Sequence, residues 1–167
     1  KEGLQRQVST RSGADSIPGF WADIYGLQYW LDLNSGMKTG FYLDQRQEHF
    51  KVATFAEDWR VLDCFCNQGA FALNAARAGA REVIALDSSA EAIATAKKNA
   101  LQNELEVDFR ETNVFDYLAG SHSESFDLII LDPPSFAPNR KAVAGAKRGY
   151  KELHLRAFQR LHPGGIL

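Results

Sequence analysis

The chain has 167 residues, of which 45% are hydrophobic and 24% are charged, and this composition excludes a disordered or collagen-like chain. The 19 Lys and Arg residues against 21 Asp and Glu residues give a formal net charge of −2, so any nucleic-acid surface must be a local basic patch. It has no run of about 18 apolar residues and no signal-like amino terminus, so we expect a cytosolic protein without a membrane partner.

The amino-terminal part predicts a linker and then a β-hairpin. Residues 1–23 are polar and rich in turn-forming residues, so we interpret them as a lead-in segment. Within residues 24–59, apolar and polar side chains alternate from Leu27 to Leu33, which is typical of a half-buried strand. Residues 34–36 predict a turn and residues 39–43 a returning strand, so the two strands form a hairpin. A connecting helix follows at about residues 45–56.

Residues 60–167 alternate short apolar runs with helical patterns. Nearly continuous apolar strands between helices are typical of a parallel sheet covered on both faces. The sequence therefore predicts an α/β, Rossmann-like, doubly wound, mainly parallel sheet. The predicted strands are residues 61–65, 83–87, 107–109 and 128–132, and the predicted helices are residues 70–78, 89–102 and 149–161.

Two details belong to this prediction. Ser88 and Glu91 have the spacing of a capping box at the start of the second helix. The inward stripe of that helix is predicted as Ile93, Ala96, Ala100 and Leu101. A fifth strand begins at Ile166, so we expect the chain to be a fragment of a longer protein, truncated in that strand.

Acidic residues stand where three predicted strands end: Asp63, Asp87 and Asp132. Each one is also a common turn or cap residue, but open α/β sheets bind ligands at the carboxyl ends of their strands. Residues 66–70 lead into a helix amino terminus that offers backbone amides to a ligand. They lack the glycines that a dinucleotide pyrophosphate needs, which disfavours a nicotinamide oxidoreductase. Asp87 has the position from which a carboxylate binds a ribose diol, so we infer a ribose-containing cofactor without a pyrophosphate.

Four segments resemble motifs of class I S-adenosylmethionine (SAM) dependent methyltransferases. They are residues 63–71 (DCFCNQGAF), Asp87, residues 132–136 (DPPSF) and residues 163–167 (PGGIL). Residues 38–46 (KTGFYLDQR) and 148–151 (RGYK) are more specific and resemble the large-subunit rRNA cytosine-C5 methyltransferase family. The resemblance covers about residues 24–167. It implies that the cofactor is SAM and that the partner is RNA, with rRNA as the expected kind.

The resemblance also implies a set of cofactor-binding residues. The loop residues surround the methionine part of SAM, Asp87 holds the ribose, and Asn113 replaces the Asp that many relatives have beside the adenine amine. Asn67 and Gln68 replace the Thr-Gly that is common in this loop. The implied set is Lys38, Gln45, Arg46, Asp63, Phe65, Asn67, Gln68, Gly69, Asp87, Ser88, Asn113 and Asp132.

The expected catalytic residues are Asp132, Pro133, Pro134 and Phe136. Two prolines fix the backbone after the strand, so that carbonyl oxygens and the Asp side chain face the pocket. Amino-directed methyltransferases have an aromatic residue directly after the second proline, whereas Ser135 intervenes here, which disfavours an exocyclic-amine target. C5 methylation in this family begins with a Cys thiolate that adds to C6 of cytosine, and we expect that Cys beyond Leu167.

The two cysteines of the chain, Cys64 and Cys66, do not form a disulfide framework or a four-ligand zinc site. Cys64 is expected to be a small buried core residue, and Cys66 to line the pocket. We therefore expect no metal and expect the isolated chain to bind SAM without completing the reaction.

A basic stretch follows the Pro-Pro motif, and residues 133–151 contain no acidic side chain. Such a stretch holds phosphates while an aromatic ring stacks an unpaired base, although an ordinary solvated loop and helix start would have the same composition. The candidate RNA-binding residues are Arg140, Lys141, Lys147, Arg148, Tyr150 and Lys151. Alternatives to an RNA C5 methyltransferase are a SAM-dependent methyltransferase of another base or substrate, and a non-catalytic SAM- or RNA-binding module.

Overall fold

The computed structural model describes residues 18–33, 41–120, 124–137, 139 and 142–167. The chain divides into two compact units, Lys1–Arg46 and Gln47–Leu167. None of the helices in these described ranges is long and apolar enough to cross a membrane. Lys38, Arg140 and Lys141, together with the predicted turn at residues 34–36, lie outside the described residues.

The first unit contains an antiparallel hairpin of β1 (Phe20–Ile24) and β2 (Leu27–Leu31). Its turn is Tyr25 and Gly26, with φ of 53° and 79°, and positive φ at both turn positions matches the twist of a two-residue hairpin loop. The alternation predicted for β2 is confirmed, because Leu27, Tyr29 and Leu31 are buried on one face.

The partner predicted for β2 was wrong. The partner strand is β1, most of which lies in the segment interpreted as a lead-in, and Phe41 and Tyr42 belong to no strand. A 3-10 turn (Leu43–Gln45) follows instead. The sequence concealed the true turn because Tyr25 is a residue type that turns seldom favour, whereas Asn-Ser-Gly is a strong turn signal.

The second unit is a five-stranded parallel sheet in the order β5-β4-β3-β6-β7. The chain builds outward from β3 through β4 to β5, then returns to β6 on the other side of β3, so the strand order reverses between β3 and β6. The predicted doubly wound fold is confirmed. The strands are β3 (Arg60–Cys64), β4 (Glu82–Asp87), β5 (Asp108–Glu111), β6 (Phe126–Leu131) and β7 (Leu161–Ile166), and the helices are α1 (Arg46–Ala53), α2 (Ala70–Arg77), α3 (Ala90–Gln102), α4 (Val114–Ala119) and α5 (Val143–Phe158).

Side chains on the two faces of the sheet pack against different helices. Leu62 and Leu86 belong to one buried cluster with Leu153 of α5 and Tyr117 of α4. Because successive side chains of a strand point to opposite faces, Asp63 faces the other side, where its carboxylate meets the start of α2.

Four local predictions need correction. Ser89, and not Ser88, caps α3, because its hydroxyl oxygen accepts the Ala92 N–H at 3.2 Å. Leu101 is 81% exposed, and Asn99 takes the inward position instead. The last helix begins earlier than residue 149. The last strand begins at Leu161 and includes the Pro-Gly-Gly segment that was predicted to be a stop, and its pairing with β6 at Leu161 and at Ile166 has an irregular register between these two positions.

Candidate functional site

The three predicted acids lie at the carboxyl ends of adjacent strands. Asp63 is next to last in β3, Asp87 is the last residue of β4, and Asp132 directly follows β6. Since β3 lies between β4 and β6, these positions lie next to one another along the carboxyl ends of the strands. Their charges interact, because Asp132 and Asp87 both raise the pKa of Asp63. The edge where α/β sheets bind ligands is therefore acidic.

Asp63 is the most perturbed of the three. It is 1% exposed, and its Oδ2 accepts the Ala72 N–H at 3.0 Å, which caps α2 from a neighbouring strand. Its Oδ1 is buried without a hydrogen-bond partner in the described part of the chain. Burial raises the pKa of Asp63 from 3.8 to about 7, and the charges of Asp132 and Asp87 add to the effect of burial. This carboxyl group thus titrates near neutral pH.

The loop between β3 and α2 has an unusual backbone. Phe65, Asn67 and Gly69 have φ of 66°, 48° and 81°, so every second residue is left-handed. Such values cost a non-glycine residue roughly 1–2 kcal/mol, so the surrounding contacts must hold them. A side chain at Gly69 would also place its Cβ 3.0 Å from the ring of Phe109, so this position needs glycine for two independent reasons.

Asp87 ties the loop to the start of α3. Its Oδ2 accepts the Asn67 N–H at 2.9 Å, and its Oδ1 accepts the Ser89 N–H at 2.9 Å. A carboxylate oxygen can accept more than one hydrogen bond, so both oxygens keep capacity for ligand hydroxyls. Ser88, between Asp87 and the cap Ser89, is exposed.

Asn113 caps α4 rather than standing free. Its Oδ1 accepts the Phe115 N–H at 2.8 Å and the Asp116 N–H at 3.4 Å. The short bond occupies one acceptor position of this oxygen, so hydrogen bonding to an adenine amine would have to use the other.

Both thiols are buried. Burial raises the pKa of Cys64 and of Cys66 well above the usual value, and the negative charge of Asp63 raises both further. A thiol of this kind stays protonated, whereas nucleophilic attack needs the thiolate. The described residues therefore contain no cysteine suited to attack C6 of cytosine.

The Asp-Pro-Pro segment leaves the end of β6 and ends at a stack of aromatic rings. Phe136 is stacked on Tyr150 of α5, with ring centroids 4.5 Å apart, and contacts Phe115 at 5.8 Å. Pro133 is half-buried, and Asp132 and Pro134 are exposed. One face of the Tyr150 ring is thus covered by Phe136.

The remaining candidate residues fall into two groups. Lys147, Arg148 and Lys151 are exposed on α5, as a phosphate-binding surface requires. Gln45 ends the 3-10 turn of the first unit, and the Arg46 guanidinium lies 6.0 Å from the centre of the Tyr25 ring. The part that Gln45 and Arg46 play in cofactor binding stays a prediction.

Sequence reasoning missed two buried polar residues near these elements. Asn99 of α3 is fully buried and donates from Nδ2 to the carbonyl oxygen of Gln68 at 3.1 Å. Arg160 donates to the carbonyl oxygens of Leu118 and Gly120, at the end of α4. Asn99 had a signal, because it follows Ile93 and Ala96 at helical spacing. Arg160 had none, because its partners lie about 40 residues away in sequence.

Comparison with known proteins agrees with this arrangement. Residues 56–167 match a family described as "Methyltransferase domain". The chain belongs to this methyltransferase family. The predicted resemblance to class I SAM-dependent methyltransferases, for which SAM is the cofactor, is thereby confirmed.

Curated relatives and solved structures agree with the family. The chain is 39% identical, over its whole length, to Ribosomal RNA large subunit methyltransferase I of Cronobacter sakazakii, and covers 43% of that protein. It is 46% identical, over 85% of its length, to the protein of the same name from Tolumonas auensis, and covers 37% of it. A methyltransferase crystallised with S-adenosylhomocysteine (SAH) has a TM-score of 0.79 and 31% identity, covering 92% of this chain and 42% of that one. The chain thus spans less than half the length of these relatives.

Proposed function

We propose that this chain binds SAM at the carboxyl ends of β3 and β4 and forms part of an enzyme that methylates C5 of a cytosine in large-subunit rRNA. The observation that carries the rRNA part is the similarity, over the whole chain, to a protein named as a large-subunit rRNA methyltransferase. The cytosine part rests on residues 38–46 and on Ser135, which separates the Pro-Pro pair from Phe136.

The cofactor part rests on the geometry around Asp87 and α2. Asp87 retains acceptor capacity for the two ribose hydroxyls while it holds the loop in place. The first backbone amides of a helix have no acceptor within the helix, and those of Ala70 and Phe71 open α2 beside the loop. These amides suit the carboxylate of the methionine part of SAM.

Asp63 suits the other end of the same amino acid. Its buried, unpartnered Oδ1 is the acceptor that a ligand ammonium group would use, and a cation there would favour the ionised carboxylate. Phe65, Asn67, Gln68 and Gly69 then surround the methionine part, and Asn113 contacts the adenine. SAM supplies the electrophilic methyl group when it is bound.

The RNA part rests on Asp132, the prolines and the exposed cations of α5. Lys147, Arg148 and Lys151 would hold phosphates, and the aromatic pair of Phe136 and Tyr150 would stack an unpaired base. The target cytosine must be unstacked to reach the end of β6. The protonated thiols of Cys64 and Cys66 do not fit the role of the nucleophile, so the C5 reaction needs another cysteine.

The cofactor assignment is tested by calorimetric titration of the protein with SAM, with NAD as the comparison ligand. We expect SAM to bind and NAD not to bind. Asp87→Ala should weaken SAM binding by about 1–3 kcal/mol, because two ribose hydroxyls lose a charged acceptor. Asp108→Ala, which removes an exposed carboxylate at the opposite end of the sheet, is the matched control and should bind SAM as the wild type does. Equal affinity of wild type and Asp87→Ala would refute the ribose assignment.

The target assignment needs a separate experiment. The protein is incubated with unmodified large-subunit rRNA and methyl-labelled SAM, and the RNA is digested to nucleosides for mass spectrometry. Label in 5-methylcytidine supports the proposal. Label in another nucleoside would show an rRNA methyltransferase of different target chemistry.

A further inference from the structure

The peptide unit between Gln68 and Gly69 is held at both ends. Its carbonyl oxygen accepts a hydrogen bond from Asn99 Nδ2 at 3.1 Å, and its N–H donates to the Cys66 carbonyl oxygen at 2.8 Å. Rotation of this peptide plane would break both bonds. Such rotation is otherwise easy here, because the plane is followed by a glycine, which populates both signs of φ.

This peptide leads directly into α2. Gly69 is the residue before the helix, and its carbonyl oxygen accepts the first helical hydrogen bond, from the Leu73 N–H at 2.8 Å. A rotated peptide would therefore shift the first turn of α2, including the amides of Ala70 and Phe71. Gly69 has no side chain to cap the helix, so the position of that turn depends on the loop and on the carboxyl group of Asp63, which accepts the Ala72 N–H.

Asn99 is a polar residue at a buried position of α3. It is fully buried on a helix face whose other inward residues, Ile93, Ala96 and Ala100, are apolar. A buried amide costs stability unless its hydrogen bonds are made, so an apolar residue would serve packing better. The bond to the Gln68 carbonyl explains its presence.

We propose that Asn99 is a positioning residue, which holds the Gln68–Gly69 peptide and thereby the first turn of α2 in the orientation that binds the cofactor. This inference rests on the proposed function. Because Asn99 is fully buried, it acts through the loop, and its loss changes cofactor affinity by disordering the amides.

Two variants test this role, with one control. Asn99→Leu removes the amide at similar volume, and Asn99→Asp removes the donor but keeps the size. Asn103→Ala is the matched control, because Asn103 lies at the carboxyl end of the same helix, where its side chain donates to the carbonyl oxygen of Asn99. For each protein we would measure unfolding by circular dichroism, amide hydrogen exchange of residues 66–73 without cofactor, and the dissociation constant of SAH by calorimetry.

In Asn99→Leu, the amide hydrogens of residues 66–73 should exchange at least tenfold faster than in the wild type. This variant should also bind SAH about tenfold more weakly. A tenfold change is the size of effect expected from the loss of one buried hydrogen bond. Asn103→Ala should lose unfolding stability without either effect. Asn99→Asp should bind weakly at pH 8, where its carboxylate repels the Gln68 carbonyl oxygen. It should recover at pH 5.5, where the protonated carboxyl can donate, with each affinity taken relative to the wild type at the same pH.

The outcomes separate the two claims. Unchanged exchange in Asn99→Leu would overturn the positioning role, whatever the affinity. Faster exchange with SAH affinity within twofold of the wild type would also overturn it, since the loop would then be ordered for another reason. A folded wild type that does not bind SAH would overturn the cofactor proposal and, with it, the cofactor part of this inference. The exchange data would still decide whether Asn99 orders the loop.

Discussion

Asp63→Asn should change how the stability of this protein depends on pH. The asparagine keeps the size of the side chain and an oxygen that can accept the Ala72 N–H, but it cannot ionise. In the wild type, burial raises the pKa of Asp63 to about 7, from 3.8. The folded protein therefore retains this proton at pH values where the unfolded chain has released it.

The sign and size of the effect follow from that difference. A group with a raised pKa in the folded state contributes its full stability below the unfolded pKa, and the contribution is lost as pH rises toward the folded pKa. The shift is about 3 pKa units, each worth 1.36 kcal/mol, so the whole contribution is about 4 kcal/mol. About 3 kcal/mol of it should disappear between pH 5 and pH 8, where most of the titration lies.

Urea unfolding of both proteins at several pH values between 5 and 8 measures this contribution. The free energy of unfolding of the wild type should fall relative to that of Asp63→Asn by about 3 kcal/mol as pH rises over this range. Asp108→Asn, which neutralises an exposed carboxylate, serves as the control and should run parallel to the wild type. If the difference between wild type and Asp63→Asn stays constant with pH, then the carboxyl group of Asp63 does not titrate near neutrality and the reasoning is wrong.

Three further sets of substitutions have defined outcomes. Gly69→Ala should lower the free energy of unfolding by about 2–3 kcal/mol, because φ is positive at this position and the new Cβ would contact Phe109. Gly145→Ala should raise the free energy of unfolding by about 0.5–1 kcal/mol, because no heavy atom lies near the new Cβ. Equal effects of the two substitutions would contradict the conformational argument. Arg160→Ala should cost about 2–4 kcal/mol in thermal unfolding because the last carbonyls of α4 lose a charged donor, and a loss below 1 kcal/mol would show that water replaces it. Asn113→Ala should lower the free energy of unfolding by about 1 kcal/mol, because α4 loses its cap. Asn113→Ser should lower it only a little, since serine also caps helices. Equal losses in the two variants would mean that the cap contributes nothing.

The sheet could be predicted because its signal is local. A buried parallel strand is a short apolar run, and β3, β4 and β6 appear as such runs in the sequence. The last strand differs, since its sequence from Leu161 to Ile166 is mostly polar, proline or glycine. In the sheet that the described residues form, this strand is the outer one and its residues are exposed or half-exposed, which tolerates such a sequence. The pairing of β2 with β1 was not predicted, because the turn between these strands depends on the backbone conformation of Tyr25 and not on a residue type that turns favour.

The site could be predicted in position but not in detail. Acids at the carboxyl ends of neighbouring parallel strands lie close together. The sequence was therefore sufficient to predict that Asp63, Asp87 and Asp132 belong to one site. The sequence does not show which acid is buried, nor that Asp63 caps a helix nine residues away. The role of Asn99 likewise depends on the distance between α3 and the loop, which only the packed structure determines.

The packing of Asp63 adds an electrostatic argument to the glycine argument against a dinucleotide. A pyrophosphate would bring two negative charges to the amino terminus of α2, where the carboxyl group of Asp63 already accepts the Ala72 N–H. Burial is the main cause of the raised pKa of Asp63, and the negative charges of Asp132 and Asp87 at the carboxyl ends of the strands raise it further. A ligand with an ammonium and a sulfonium group meets the opposite situation, because each of its cations lowers the energy of the ionised carboxylates. The acidic edge thus favours SAM over NAD for a physical reason that does not depend on the count of glycines in the loop.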